Sequence, residues 1–217
     1  MKIYRFCDSF YLKKIMRYEQ QNIHFISDFH IGHKNVLKYD GRPFEDVDEM
    51  HVELIKRWNN VVEDDDIVYY LGDLAFCRDE TTVWFLHSLK GKINYIMGNH
   101  DKMKDIVKFG RFENVHEYGT EIFIKDEDLK STRGSQGYQQ FILSHYPILS
   151  WNRAHYGSIH LHGHCHGNLM KSNQDYYKRK VLDVGCNVID YTPISYQGVK
   201  DIMEKKIISS VDHHGED

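Results

Sequence analysis

Short apolar runs and stretches of helical spacing alternate along this chain and outline its elements. Three short apolar runs end abruptly in polar groups: "NIHFISD" (22–28), "DIVYYLGD" (66–73) and "INYIMGNHD" (93–101). Each reads as a buried strand. Between the first two lies "EDVDEMHVELIKRWNNVV" (45–62), where Val47, Met50, Leu54, Ile55, Trp58, Val61 and Val62 recur at three- and four-residue steps. That spacing predicts a helix, and Asp46 followed by Glu49 predicts a capping box at its start. "EDDD" (63–66) reads as a solvated loop. Residues 80–90 predict a helix closed by Gly91, and 102–109 a shorter one. The second half is richer in strands, at 120–125, 140–147, 158–166 and 180–185, with an exposed loop at 126–139. Strands alternating with helices imply βαβ units and a parallel sheet, whose functional groups gather at the C-terminal strand ends.

Composition narrows the class. The 217 residues are 41% hydrophobic and 13% aromatic, enough for one globular domain with a sizeable core. The net charge of −4 gives no electrostatic case for wrapping an extended nucleic acid, while a small nucleotide or a locally bound strand stays open. The first residues are interrupted by charges and offer no apolar signal segment, and no run approaches a membrane span, so a cytoplasmic protein is expected. Cys7, Cys77, Cys165 and Cys186 form no CxxC pair and read as reduced thiols. Histidine, at 15 residues, is the outlier.

The histidines concentrate at strand ends. "SDFH" (27–30), "LGD" (71–73), "GNHD" (98–101), "LSHYP" (143–147) and "HGHCH" (162–166) each close a predicted strand with carboxylate, amide or imidazole groups. Asp28 and His30 are two residues apart, as are His164 and His166, so an extended backbone points each pair the same way. Oxygen and imidazole donors without thiolate suit manganese, iron, zinc or nickel. A single D-x-H or H-x-H is a common accident, but five such ends in one chain are not.

In these blocks the chain resembles the calcineurin-like metallophosphoesterases. The resemblance spans roughly residues 22 to 198 and includes "GHKN" (32–35), "GRPF" (41–44), "RWNNVV" (57–62) and "LDVGCNVIDYTPIS" (182–195), which look like compact bacterial and phage members. It implies two mixed β-sheets packed face to face and flanked by helices, over a domain of residues 22–200. Residues 1–21 are then an N-terminal extension and 201–217 a C-terminal tail. It also implies a two-metal centre, with manganese first among the candidate ions. Carried over, Asp28, His30 and His166 hold one ion, Asn99, His145 and His164 the other, and Asp73 bridges them. A carboxylate bridge limits the repulsion of two cations, and a hydroxide shared by them becomes the nucleophile. His100 stands beside the metals to protonate the leaving oxygen or stabilise phosphoryl charge. Asp101 is expected to orient that imidazole, and Gly98 to permit a backbone geometry that a side chain would oppose. His33 and Arg42 are candidate substrate-phosphate contacts. The implied substrate is a small phosphomonoester or phosphodiester, nucleotide-derived, and not an extended nucleic acid.

The departures from other branches are informative. Serine/threonine phosphatases resemble "GDxVDRG" and "GNHE", where this chain reads "GDLAFCRD" and "GNHD". Purple acid phosphatases place tyrosine where this chain has Phe76. A nuclease acting on short single strands and a non-catalytic module on the same fold are the alternatives; the second is disfavoured because His100 and every ligand position are present. His24 and His160 are expected to pack inside strands, and His162 to pack or to support a ligand. Cys165 is expected to point away from the metals, and His213 and His214 to lie in a frayed tail.

Overall fold

The computed structural model of the chain describes residues 16–18, 22–77, 80–129, 137–209 and 211. It opens with β1 (Met16–Tyr18) and β2 (Ile23–Ile26), followed by α1 (Val36–Tyr39) and α2 (Val47–Asn59). Then come β3 (Ile67–Tyr70), α3 (Glu80–His87), β4 (Lys92–Ile96), α4 (Met103–Phe109) and β5 (Phe112–His116). The second half contributes β6 (Thr120–Lys125), β7 (Tyr138–Leu143), β8 (Ile159–His162), α5 (Asn168–Ser172), α6 (Gln174–Lys178), β9 (Val181–Asp183), β10 (Ile194–Ser195) and α7 (Tyr196–Met203).

The strands form two mixed five-stranded sheets, ordered β10-β2-β3-β4-β5 and β1-β6-β7-β8-β9. In the first, β2 to β5 run parallel and β10 is antiparallel to β2. In the second, β6 is antiparallel to β7, while β7, β8 and β9 run parallel. Alternate residues on a strand face opposite sides, and this sorts the core. Phe25, Tyr69 and Leu71 of the first sheet meet Ile122, Phe141, Leu143 and Leu161 of the second in one buried cluster. On the far side of the first sheet, Ile26, Tyr70 and Tyr95 pack under Met50, Leu54, Trp58 and Phe85 of α2 and α3. On the far side of the second, Ile142 and Val181 meet Trp151, Tyr176 and Tyr177. The result is a helix–sheet–sheet–helix sandwich.

Helix α2 shows how local sequence sets these layers. Its cap is Asp46, whose carboxylate accepts the Asp48 and Glu49 amides at 2.9 Å. Glu49 reaches back one residue further than a capping box requires and accepts the Glu45 amide. Met50, Leu54 and Trp58 are fully buried, each worth about 1.5–3 kcal/mol. Val61 is exposed and His51 is buried instead, its Nε2 accepting the Gly32 amide at 3.1 Å.

Much of the expected N-terminal extension and the tail histidines His213 and His214 fall outside the described residues, as do Cys7 and residues 130–136 of the 126–139 loop. Within the extension, Met16–Tyr18 pairs in parallel with Ile122–Ile124 as an edge strand. Among the described residues no helix is long and apolar enough to cross a membrane.

Candidate metal centre

The parallel strands β2, β3, β4, β7 and β8 end on one side of the molecule, and a main-chain seam joins the two sheets there. Ser27 pairs with Gly185, its amide donating to Val184 O and its carbonyl accepting from Cys186 N. The turns beyond these strand ends carry the polar residues. Asp28, His30 and His166 bring ligand atoms together in one group, and Asp73, His145 and His164 in a second, with every atom of a group within 4.8 Å of the others. Asp73 touches both groups: its Oδ2 lies 3.9 Å from His30 Nε2 and 3.5 Å from His145 Nε2. Asn99 Oδ1 converges on the second group, 3.0 Å from His145 Nε2 and 2.9 Å from His164 Nδ1.

The backbone is bent to achieve this. Asp28, His30, Asp73, His164 and His166 all have positive φ, between 48° and 68°. Non-glycine residues rarely take that conformation, and each instance costs about 1–3 kcal/mol when the surroundings impose it. The strand expected to run to Asp101 stops at Ile96, and "GNHD" is a turn. Gly98 is not in the left-handed region; a Cβ there would stand 2.2 Å from Asp73 Oδ1. Close approach of two strand ends, not a special φ, requires glycine at this position.

The donor atoms fit cations. Asp28 Oδ2 accepts the Ser27 hydroxyl at 2.7 Å and the His164 amide at 3.0 Å, while its Oδ1 is buried with no hydrogen-bond partner. A lone buried carboxylate oxygen aimed at imidazoles is costly unless a positive charge answers it. Burial accordingly pushes the Asp28 carboxyl up to about 7. Burial also holds His30 near 3, so this imidazole is neutral and its lone pair can ligate. His30 Nε2 and His166 Nε2 face each other at 3.1 Å. His145 Nδ1 donates to Leu71 O at 2.7 Å, which aims Nε2 into the site. Burial opposes charge on His145, but Asp73 and Asp28 override it and raise the imidazole to about 9. Burial likewise opposes charge on Asp73, yet the His145 imidazole and the His100 amide hold its carboxyl below the usual range. Two His/Asp groups sharing one carboxylate could therefore hold two metal ions.

Two expected roles come out differently. Asp101 does not orient His100. Its carboxylate accepts the Gly98 amide and the Tyr95 hydroxyl at 2.7 Å, the Asp73 amide at 2.9 Å and the Leu74 amide at 3.3 Å. It fastens the turn after β4 to the turn after β3. Arg42 does not reach the substrate face: its side chain is fully buried. Nη1 bonds Phe29 O and Met50 Sδ, Nη2 bonds Asp28 O and Asp40 Oδ2, and Nε bonds the same Asp40 oxygen. All five N–H groups face inward, and two of them brace the backbone of the first ligand loop. His162 is held between Gly163 O and the Tyr177 hydroxyl, both at 2.8 Å, and is structural.

His100 is exposed at the mouth, its amide donating to Asp73 Oδ1 at 2.9 Å and its Nε2 lying 3.9 Å from Asp73 Oδ2. His33 lies at the rim, its ring 4.1 Å from that of Phe76. His24 and His160 are buried inside their strands. Cys165 carries a thiol that burial raises to about 11, and Cys186 Sγ donates to Asp28 O.

Asp40 was invisible to sequence reasoning. Its Oδ2 accepts His166 Nδ1 at 2.7 Å and pairs with Arg42, so it fixes the tautomer that leaves His166 Nε2 free to ligate. Its only signal is its place two residues before Arg42 in "YDGRPF". Ser27, already within "SDFH", was likewise unassigned.

No protein-family model matches the chain. It is 38% identical over 199 residues to the uncharacterized protein MJ1445 of Methanocaldococcus jannaschii, covering 88% of this chain and 97% of that one. It is 30% identical over 187 residues to the gene 66 protein of Mycobacterium phage L5, covering 76% and 86%. A protein of unknown function from Aquifex aeolicus, AQ665, shares the fold, with a TM-score of 0.64 at 22% identity over 84% of this chain and 99% of its own. An archaeal phosphodiesterase aligns at a TM-score of only 0.32 and 15% identity over 66% and 73%, too slight a likeness to carry weight. By identity and coverage, the chain belongs to the family that includes MJ1445 and the phage L5 gene 66 protein.

Proposed function

We propose that this protein is a metallophosphoesterase of the calcineurin-like type, hydrolysing small phosphate esters derived from nucleotides. One observation carries the reading: two carboxylate–imidazole groups share Asp73 at the tips of parallel strands. Asp28, His30 and His166 would hold one ion, and Asn99, His145 and His164 the other, with Asp73 common to both. Bound there, two divalent ions would acidify a water and neutralise phosphoryl charge. Manganese is the first ion to test, followed by iron, zinc and nickel.

The chain's own groups supply the rest. In hydrolysis a water releases a proton to solvent as its oxygen bonds to phosphorus, the ester P–O bond breaks on the far side, and the departing alkoxide takes a proton. His100, exposed beside Asp73, holds that proton on its imidazole and receives one back from solvent. His33, at the rim beside His30 and Phe76, would meet a non-bridging phosphate oxygen. Arg42 and Asp101 act through others, by bracing the backbone of Asp28 and the turn that presents Asn99.

The test combines metal content with turnover. Purified protein should take up two transition-metal ions per chain, and Asp73→Asn should lower occupancy at both sites. With manganese it should hydrolyse members of a panel of p-nitrophenyl phosphate, bis-p-nitrophenyl phosphate, cyclic nucleotides and short single-stranded DNA. One ion per chain at saturation, or undiminished hydrolysis in excess EDTA, would overturn the reading.

A further inference from the structure

Single exposed aromatic residues are ordinary on a protein surface. Two on this protein sit in ring contact with the candidate centre, on different sides of it. Phe76, 43% exposed, has its ring 5.5 Å from His30, 4.7 Å from His100 and 4.1 Å from His33. Tyr146, 49% exposed, has its ring 5.1 Å from His145 and 4.7 Å from His164. The first thus flanks the Asp28–His30–His166 group and the proton donor, and the second flanks the Asp73–His145–His164 group. Both rings keep about half their surface in water beside the most polar part of the molecule.

A phosphodiester set between the groups has two ester arms leaving it in different directions. With His100 as the proton donor, the leaving arm would lie on the side of Phe76, whose ring is 4.7 Å from that of His100, and the other arm would have Tyr146 on its side.

Resting on the phosphoesterase reading, we propose that Phe76 and Tyr146 are stacking platforms for the two arms of a nucleoside phosphodiester, so that the substrate class is a dinucleotide and not a simple alkyl phosphate. Base–aromatic stacking tolerates any base, since every base offers a π-face, so these platforms select a planar arm and not a particular sequence.

The test holds the leaving group constant. Two p-nitrophenyl diesters that differ only in the second arm, methyl or 5′-thymidyl, are compared in manganese-loaded wild type, Tyr146→Ala and Tyr146→Phe. Wild type should favour the thymidyl ester in kcat/KM by about tenfold or more, the scale of one stacked base. Tyr146→Ala should erase that preference and Tyr146→Phe should restore it. For the other platform, Phe76→Leu and Phe76→Tyr are compared on thymidylyl-thymidine and on the methyl ester of thymidine monophosphate, with the ring-bearing variant alone keeping the preference for the dinucleotide. Calorimetric binding of thymidine 5′-phosphate against inorganic phosphate reads the same preference without turnover. If wild type hydrolyses both diesters equally and binds both ligands equally, the platforms are refuted while the phosphoesterase stands. If the protein holds two metal ions yet neither cleaves nor binds any ester, the phosphoesterase reading falls and this inference with it.

Discussion

Removing the Asp40 carboxylate should weaken one metal site and spare the other. Asp40 Oδ2 accepts from His166 Nδ1 at 2.7 Å and from Arg42 Nη2 at 3.0 Å and Nε at 3.2 Å. With that acceptor gone, His166 is free to carry its proton on Nε2, the atom that faces His30 and must ligate. Loss of such an outer partner typically costs about 10–100-fold in metal affinity, or about 1.4–2.8 kcal/mol. Arg42 loses its counter-charge in a buried position, and breaking one partner of a buried pair costs about 3–5 kcal/mol of stability. Because Arg42 keeps the Asp28 and Phe29 carbonyls, the stability loss should fall at the lower end. Asp40→Ala should therefore show two unequal manganese-binding steps by calorimetry, the weaker one shifted by that factor, and a lower urea midpoint measured in EDTA. Asp40→Asn is the control: an amide oxygen in the same place can still accept all three bonds, so orientation survives and only charge is lost. It should weaken binding less than Asp40→Ala. Equal loss at both sites, or no loss in the alanine variant, would show that Asp40 does not set the geometry of His166.

Three further outcomes follow from the same geometry. His100→Ala should keep both metal ions and lose about 10²–10⁴-fold on a nucleotide ester but much less on a nitrophenyl ester, whose leaving group needs no proton; equal losses in kcat/KM would make His100 a charge stabiliser, and lost metal would make it a ligand. Gly98→Ala places a Cβ 2.2 Å from Asp73 Oδ1, and overpacking of this kind costs about 1–3 kcal/mol; both thermal midpoint and metal content should drop, and an unchanged metal content would show that the turn can yield. Cys165→Ser should retain metal in elemental analysis, because its thiol stays protonated at neutral pH and takes no part in either group; metal loss would mean that the ligands in "HGHCH" are assigned wrongly.

The core elements were legible because their signals are local. Short continuous apolar runs became β2, β3 and β4, buried on both faces, and the three- and four-residue spacing became α2. The two ligand sets, Asp28 with His30 and His166 and Asn99 with His145 and His164 under a shared Asp73, were implied by the family resemblance and not by spacing; the fold brings Asp28, His30 and His166 together in one group and Asp73, His145 and His164 in another. The illegible parts depend on contacts between segments distant in sequence. Strand β5 alternates weakly because it is a half-exposed edge, and α5 and α6 are each too short to show a period. Arg42, within "GRPF", was a candidate phosphate contact; only the folded chain shows it bonded to Phe29 O and beside Met50. Asp101 misled for the same reason. Adjacency to His100 suggested a dyad, but a turn directs neighbouring side chains apart, and the carboxylate closes four bonds to other donors.

The centre is also part of what holds the two sheets in register. Ser27 carries the seam between β2 and the end of β9, and its hydroxyl binds Asp28 Oδ2. The same Asp28 oxygen accepts the His164 amide from the opposite sheet, while His145 of that sheet donates to Leu71 O of the first. A Cβ at Gly163 would lie 2.4 Å from Ser27 Oγ and 2.6 Å from Asp28 Oδ2, so the two sheets approach as closely as backbone allows. Five ligand residues are held in the left-handed region at about 1–3 kcal/mol each, a cost that the surrounding fold must offset. The fully buried cluster between the sheets, through Phe25, Tyr69, Phe141 and Leu161, lies under these loops and supplies that surplus. Strain at the rim and apolar packing beneath it are therefore coupled. A side chain removed from the inter-sheet core loosens the seam, and a loosened seam lets the ligand loops relax toward ordinary φ, where the two groups no longer converge.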